Sequence, residues 1–214
     1  MISVNHIMVS FISLIFGIIF FKNINLNIIK KKILPFTILI NELGFIIYLI
    51  LTNNFQLNQH LPLEMCYLNN ILIMTSLLKN IYHPYLHFSS FFCGLCGLIN
   101  HNLIDYDLIT HIHFIISHTI LILYFIFTYR NYKNLKLSDF FSSIKITSLL
   151  LIIVFILNLT FQSNYWFMFE KPGGANLAIL FPEWPVYFII LIMIGFIAYS
   201  LVLLINIKIY KFKI

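Results

Sequence analysis

The 214-residue sequence predicts an all-α, polytopic membrane helix bundle of about seven transmembrane helices, and three observations carry that expectation. Hydrophobic residues make up 61% of the chain and charged residues only 9%, whereas a soluble globular domain carries roughly 25% charged residues. The apolar residues also fall in runs of about 20, the length a helix needs to cross hydrocarbon, with no period-2 alternation of the kind a barrel would show. Finally, the basic residues sort to one side of the loops between these runs, as short cytoplasmic loops require.

The runs lie near residues 3–21, 33–52, 61–79, 84–100, 111–129, 144–162 and 184–207, and the expected organisation is one transmembrane domain over 1–214. They are expected to be helices because hydrocarbon offers no partner to a free backbone group. The first run lacks the basic n-region and small-residue cleavage site of a signal peptide, so it should stay in the mature protein. The second holds Asn41 and Glu42 at mid-depth. The third opens at Pro62, suited to a first helical turn where its missing N–H costs least. Within the fourth, Cys93-Gly-Leu-Cys96 has redox-like spacing, but Gly94 and Gly97 in an apolar helix favour close packing instead. The fifth begins His111-Ile-His113-Phe-Ile-Ile-Ser117-His118, and the sixth carries Asn158 near its end. A long loop, 163–183, then holds Lys171, Pro172, Gly173, Gly174 and Pro182, and runs into Trp184 and Pro185. Loops of this length are often functional.

Loop charge fixes the expected orientation. Of 13 basic residues, Lys22, Lys30, Lys31, Lys32, Lys79, Arg130, Lys133, Lys136, Lys145, Lys208, Lys211 and Lys213 fall on one side of a seven-span chain, leaving only Lys171 on the other. The N-terminus is therefore expected outside and the C-terminus in the cytoplasm. Glu64, Asp105, Asp107, Glu170 and Glu183 lie at external ends, although acids carry little weight in this rule. The expected location is a cell membrane, and the scarcity of alanine reflects an AT-rich genome, with a bacterial plasma membrane fitting both. The formal charge of +6 then reports topology and anionic lipid, and no nucleic-acid partner is expected.

Three cysteines are too few for a disulfide framework. His83 and His87 have metal-ligand spacing without a carboxylate or cysteine nearby in sequence, so neither a metal nor a cofactor is expected. Polar side chains inside a bundle are costly and mark candidate sites. They gather at the external ends: Glu64, Cys66, Asn69 and Asn70 begin the third span, Asn100 and His101 end the fourth, and His111, His113, Ser117 and His118 begin the fifth. Cys66 reads either as a small apolar filler or as a nucleophile. His118 lies about 10 Å deeper than His111 at 1.5 Å per residue, and reads either as a helix-to-helix hydrogen bond or as a general base. Asn69, Asn70, Asn100 and Asn158 are candidate oxyanion donors. Glu42 supports a different class, a transporter or channel for small solutes or ions, and a non-enzymatic scaffold is the third reading.

The segments His60-Leu-Pro-Leu-Glu-Met-Cys66, His111 to His118, Asn164-Tyr165 through Lys171-Pro172, and Pro182-Glu-Trp184-Pro185 resemble the YwaF-like integral membrane family, which includes the transmembrane protein 164 acyltransferase. The order and spacing agree over about 55–190, although the family's Gly-Pro-Trp-Pro reads Pro-Glu-Trp-Pro here. The resemblance implies a membrane acyltransferase with Cys66 as nucleophile and His118 as its partner. Glu64, Asn69, Asn70, Asn100, His111, Asn158, Asn164, Tyr165, Lys171 and Trp184 are then the expected substrate or oxyanion residues. An external site cannot draw on cytosolic acyl-CoA, so the expected partners are a phospholipid acyl donor and a lysolipid or lipidated protein N-terminus as acceptor.

Overall fold

A computed structural model describes residues 4–22, 24, 29–100, 107–129, 135–173 and 177–211. Among these residues the chain is helical and has no strand: α1 (Val4–Lys22), α2 (Leu34–Leu51), the short α3 (Leu57–His60), α4 (Met65–Lys79), α5 (Pro84–Ile99), α6 (Leu108–Tyr129), α7 (Leu137–Phe161) and α8 (Val186–Lys211). A π-helical turn, Ile29–Ile33, leads into α2, and 3-10 turns occupy Tyr165–Phe167 and Leu177–Leu180. The expected residues His101, Asp105, Arg130, Lys133, Gly174 and Lys213 lie outside the described residues.

Five helices, α1, α2, α6, α7 and α8, are long and apolar enough to cross a membrane. The third and fourth expected spans are shorter, at 15 and 16 residues. The third also begins later than Pro62 suggests. Leu63 N–H bonds back to the carbonyl of Leu61 and the backbone at Glu64 is not helical, so α4 starts only at Met65. Cys66 is therefore the second residue of its helix, not one full turn inside. The sixth span runs the other way, starting at Leu137 where hydropathy alone indicates 144. Its first turns are amphipathic, burying Phe140 and Ser143, and Asp139 caps them by accepting the Lys136 N–H at 2.9 Å. Left-handed residues end two helices: Asn80 (φ 54°) after α4 and Gln162 (φ 50°) after α7. At the start of α6, Asp107 accepts the Thr110 N–H at 2.8 Å and the Tyr48 hydroxyl at 2.6 Å, and those bonds hold its carboxyl below the usual range.

The bundle is organised around α6. Its spanning window is 67% buried, against 17% for α1, α7 and α8, so those three turn most of their surface toward lipid. Against α6 pack α1, α2, α4 and, most extensively, α5. Contact with α5 requires glycine. A β-carbon on Gly97 would overlap the His118 ring, and one on Gly94 would press on the side chain of Ile122. The Cys93-to-Cys96 segment thus serves as a packing face, and the three cysteines are free thiols. The core beside it comprises Leu34, Ile38, Ile73, Leu77, Ile120 and Leu121 from α2, α4 and α6. Away from it, His87 bonds Thr128 at 2.9 Å and stacks on Phe125, while His83 caps α5 by accepting the Tyr85 N–H.

Overpacking a close helix contact costs about 1–3 kcal/mol. Gly97→Ala is therefore expected to lower the thermal unfolding midpoint in detergent, whereas Gly44→Ala, with open space around its β position, leaves it unchanged. Equal midpoints for the two variants would contradict this account of the α5–α6 crossing.

Candidate functional site

Cys66 and His118 meet. The thiol lies close enough to the imidazole for the two to interact electrostatically, and its hydrogen-bond contact is to the Cys93 carbonyl at 3.9 Å. His118 Nδ1 is 2.7 Å from the carbonyl of Phe114, one turn back on α6. A carbonyl only accepts, so Nδ1 carries the hydrogen and Nε2 presents its lone pair. Because the ring lies over Gly97, which leaves it no room on that side, the tautomer and the orientation are fixed together.

Cys66 occupies the second position of α4, where backbone N–H groups have no partner inside the helix. No side chain caps that end, because the Glu64 carboxylate turns away to accept the Trp166 N–H at 3.1 Å. The thiol therefore stands at the positive end of a helix dipole, next to free N–H donors.

The candidate asparagines divide. Asn69 Oδ1 accepts from the Tyr85 hydroxyl at 2.8 Å and its Nδ2 reaches the Cys93 sulfur at 3.4 Å, which makes it a wall of the cysteine site. Asn70 faces the other way and donates to Glu42 at 3.1 Å. Asn158 holds the loop: it donates to the Tyr165 carbonyl at 2.8 Å and accepts from the Tyr165 N–H and the Ser163 hydroxyl. Asn164 binds Phe169 and Glu170 backbone groups. Asn100 accepts the Leu177 N–H at 2.7 Å and His111 pairs with His6 of α1 at 3.1 Å.

The loop after α7 folds against α3 and the segment that leads into α4. Tyr165 is buried, donating its hydroxyl to Leu57 at 2.8 Å and accepting the Leu61 N–H, and Trp166 Nε1 donates to Leu63 at 2.7 Å. Lys171 pairs with Glu183 at 2.7 Å and bonds Phe181, and the half-exposed Trp184 donates to Met168. An open groove of about 510 Å³ follows the outer side of this loop, lined by Asn58, Gln59, Gln162 and Glu170 among others. Cys66 and His118 are not in its lining.

Sequence reasoning overlooked Tyr67 and His6. Tyr67 lies between the two histidines, its ring 4.8 Å from that of His113 and 6.5 Å from that of His118. One position past Cys66, it carries no signal of its own, since a tyrosine near an interface is ordinary.

A model of the TMEM164 family matches residues 1–203. The chain belongs to the TMEM164 family. The match takes in every helix from α1 through most of α8, including the first two spans, which in sequence resemble the family in character only. Comparisons with curated proteins and with solved structures give no match. For this TMEM164 family member, membrane association follows from its apolar helices.

Because Asn158 carries three bonds to the covering loop, Asn158→Ala leaves buried backbone groups without partners, each worth about 1–3 kcal/mol. Hydrogen exchange of the Tyr165 and Trp166 amides should accelerate in that variant while the α6 amides keep their protection. Unchanged exchange at Tyr165 would show that the loop is held by other means.

Proposed function

We propose that this TMEM164 family member is a membrane acyltransferase that moves a fatty acyl chain from a phospholipid through a thioester on Cys66. The observation that carries the reading is the Cys66–His118 pair, with the histidine locked in the tautomer a base needs. In the first half-reaction His118 Nε2 takes the thiol proton as sulfur attacks the ester carbonyl of the donor. A C–S bond forms, the C–O bond breaks, and His118 returns its proton to the departing lysolipid oxygen. The N–H groups at the start of α4, which have no partner inside the helix, would receive the charge that develops on the carbonyl oxygen. The second half-reaction transfers the acyl chain to a lysolipid or to the lipidated N-terminus of a protein, and no metal or cofactor takes part.

The site is proposed to open to the outer face of a cell membrane, a bacterial plasma membrane suiting the sequence. Lys22, Lys79 and Lys136, at the opposite ends of α1, α4 and α7, are then cytoplasmic, as basic residues in short loops should be. A fluorescent-protein fusion at the C-terminus is expected to fluoresce, and an alkaline phosphatase fusion there to be inactive. The reverse pattern would invert the topology and admit cytosolic acyl donors.

Purified protein incubated with phospholipid of one labelled acyl chain should gain an acyl-sized, hydroxylamine-sensitive mass on the wild type and none on Cys66→Ser. His118→Ala should acylate about 100-fold more slowly or less. A folded wild type that gains no adduct and transfers nothing to added lysolipid or lipopeptide would end the acyltransferase reading in favour of transport.

A further inference from the structure

Beside the Cys66–His118 pair lies a second polar cluster that the first half-reaction does not use. Glu42, from the middle of α2, places Oε2 3.3 Å from His113 Nε2. Its Oε1 accepts from the Ser117 hydroxyl at 3.1 Å and from Asn70 Nδ2 at 3.1 Å. Asn41 completes the ring by donating to Ser117 at 2.8 Å. Glu42 is 8% exposed, Asn70 and Ser117 0% and His113 4%, so five polar side chains from three helices meet in apolar surroundings. Such a cluster is costly unless it is used.

Two of its atoms are unsatisfied. Asn70 Oδ1 and His113 Nδ1 are buried without a partner among the described residues. In the neutral imidazole the hydrogen shared with Glu42 sits on Nε2, because the carboxylate accepts there, and Nδ1 keeps its lone pair. Both orphan atoms are therefore hydrogen-bond acceptors, and what they lack is a donor. The His113 ring cannot turn to find one nearby, since Phe45 stacks on it at 3.9 Å and Tyr67 flanks it at 4.8 Å.

The two lipids of the reaction differ in this property. The glycerol of a diacyl phospholipid has both chain-bearing oxygens esterified and offers no donor there, whereas that of a lysolipid carries a free hydroxyl. We propose that the Glu42–His113 cluster is the acyl-acceptor site, where His113 Nδ1, beside the equally unsatisfied Asn70 Oδ1, receives the hydrogen of the incoming lysolipid's free hydroxyl and acts as its base. This inference rests on the acyl-transfer reading above. In the second half-reaction the hydroxyl proton moves to His113 Nδ1, and the oxygen attacks the thioester carbonyl. A C–O bond forms, the C–S bond breaks and sulfur leaves as thiolate. The proton held on His113 is the one Cys66 regains, so the cycle consumes none. Tyr67, whose ring approaches both imidazoles, is the wall the two sites share.

The test separates the half-reactions in the full-length protein. Wild type, Glu42→Gln and His113→Asn are acylated with labelled phospholipid, then chased with a lysophospholipid while intact mass follows the thioester. Expected is acylation of Cys66 at the wild-type rate in both variants, followed by transfer slowed about 100-fold, so that thioester accumulates. Transfer at the wild-type rate would overturn the inference. So would loss of acylation in variants that unfold at the wild-type temperature, because the cluster would then only support Cys66 and His118. Should one variant fail to fold, the other carries the test. Absence of thioester on the wild type itself would instead remove the acyl-transfer reading on which this inference stands.

Discussion

A polar side chain in hydrocarbon has to find its partner inside the protein, and in this bundle the partner across a helix contact is most often on α6. His111, His113, Ser117, His118, Thr119 and Thr128 meet polar groups of α1, α2, α4 and α5, or of α6 itself. Apolar packing alone would not set the order of the helices, because lipid tails are as apolar as leucine and give no preference between neighbours. Hydrogen bonds supply that preference. Glu42 selects the α2–α6 contact and Ser13 the α1–α6 contact, while glycine on α5 lets that helix approach closely enough to seat the His118 ring. The same helix that specifies the fold thus carries both histidines of the proposed chemistry.

The helical membrane architecture was legible in the sequence because it depends on composition and run length, two properties that survive ignorance of tertiary contacts. The proximity of Cys66 and His118 was legible as a possibility, since their expected spans enter from the same side and place them at similar depth. Distances were not. Whether Asn69 or Asn70 faces the cysteine turns on a rotation of 100° per residue about the α4 axis, and no periodic signal in so short a helix fixes it. The start of α4 was misjudged for a related reason: Pro62 is compatible with a first turn, but it equally ends an extended segment, and the loop packed above selects the second. Asn158, read as a candidate oxyanion donor, is occupied with Tyr165 and Ser163, groups close in sequence whose backbone path only the folded loop reveals.

Tyr165, Trp166 and Asn158 show why the covering loop can lie over the bundle with no more regular structure than two 3-10 turns. Its backbone groups are met by side chains, one asparagine at each end of the turn and the carboxylate of Glu64, just before the helix below. Irregular backbone near membrane depth is tolerated only where protein satisfies it in this way. Asn164 and Tyr165 therefore shape the covering loop, whereas Cys66 and His118 lie on the helices beneath.

The brevity of α4 and α5 has a consequence for the lipid around the protein. At 1.5 Å per residue, helices of 15 and 16 residues reach about 22–24 Å, less than the roughly 30 Å of a bilayer's hydrocarbon. Lipid meeting that side adapts by thinning or tilting its chains. Ester groups ordinarily held at the headgroup boundary are drawn inward, toward the level of the α4 N-terminus where Cys66 begins. For the proposed acyl transfer, the bilayer's own elasticity would bring the donor ester toward the thiol and make chain length in the surrounding membrane a determinant of access.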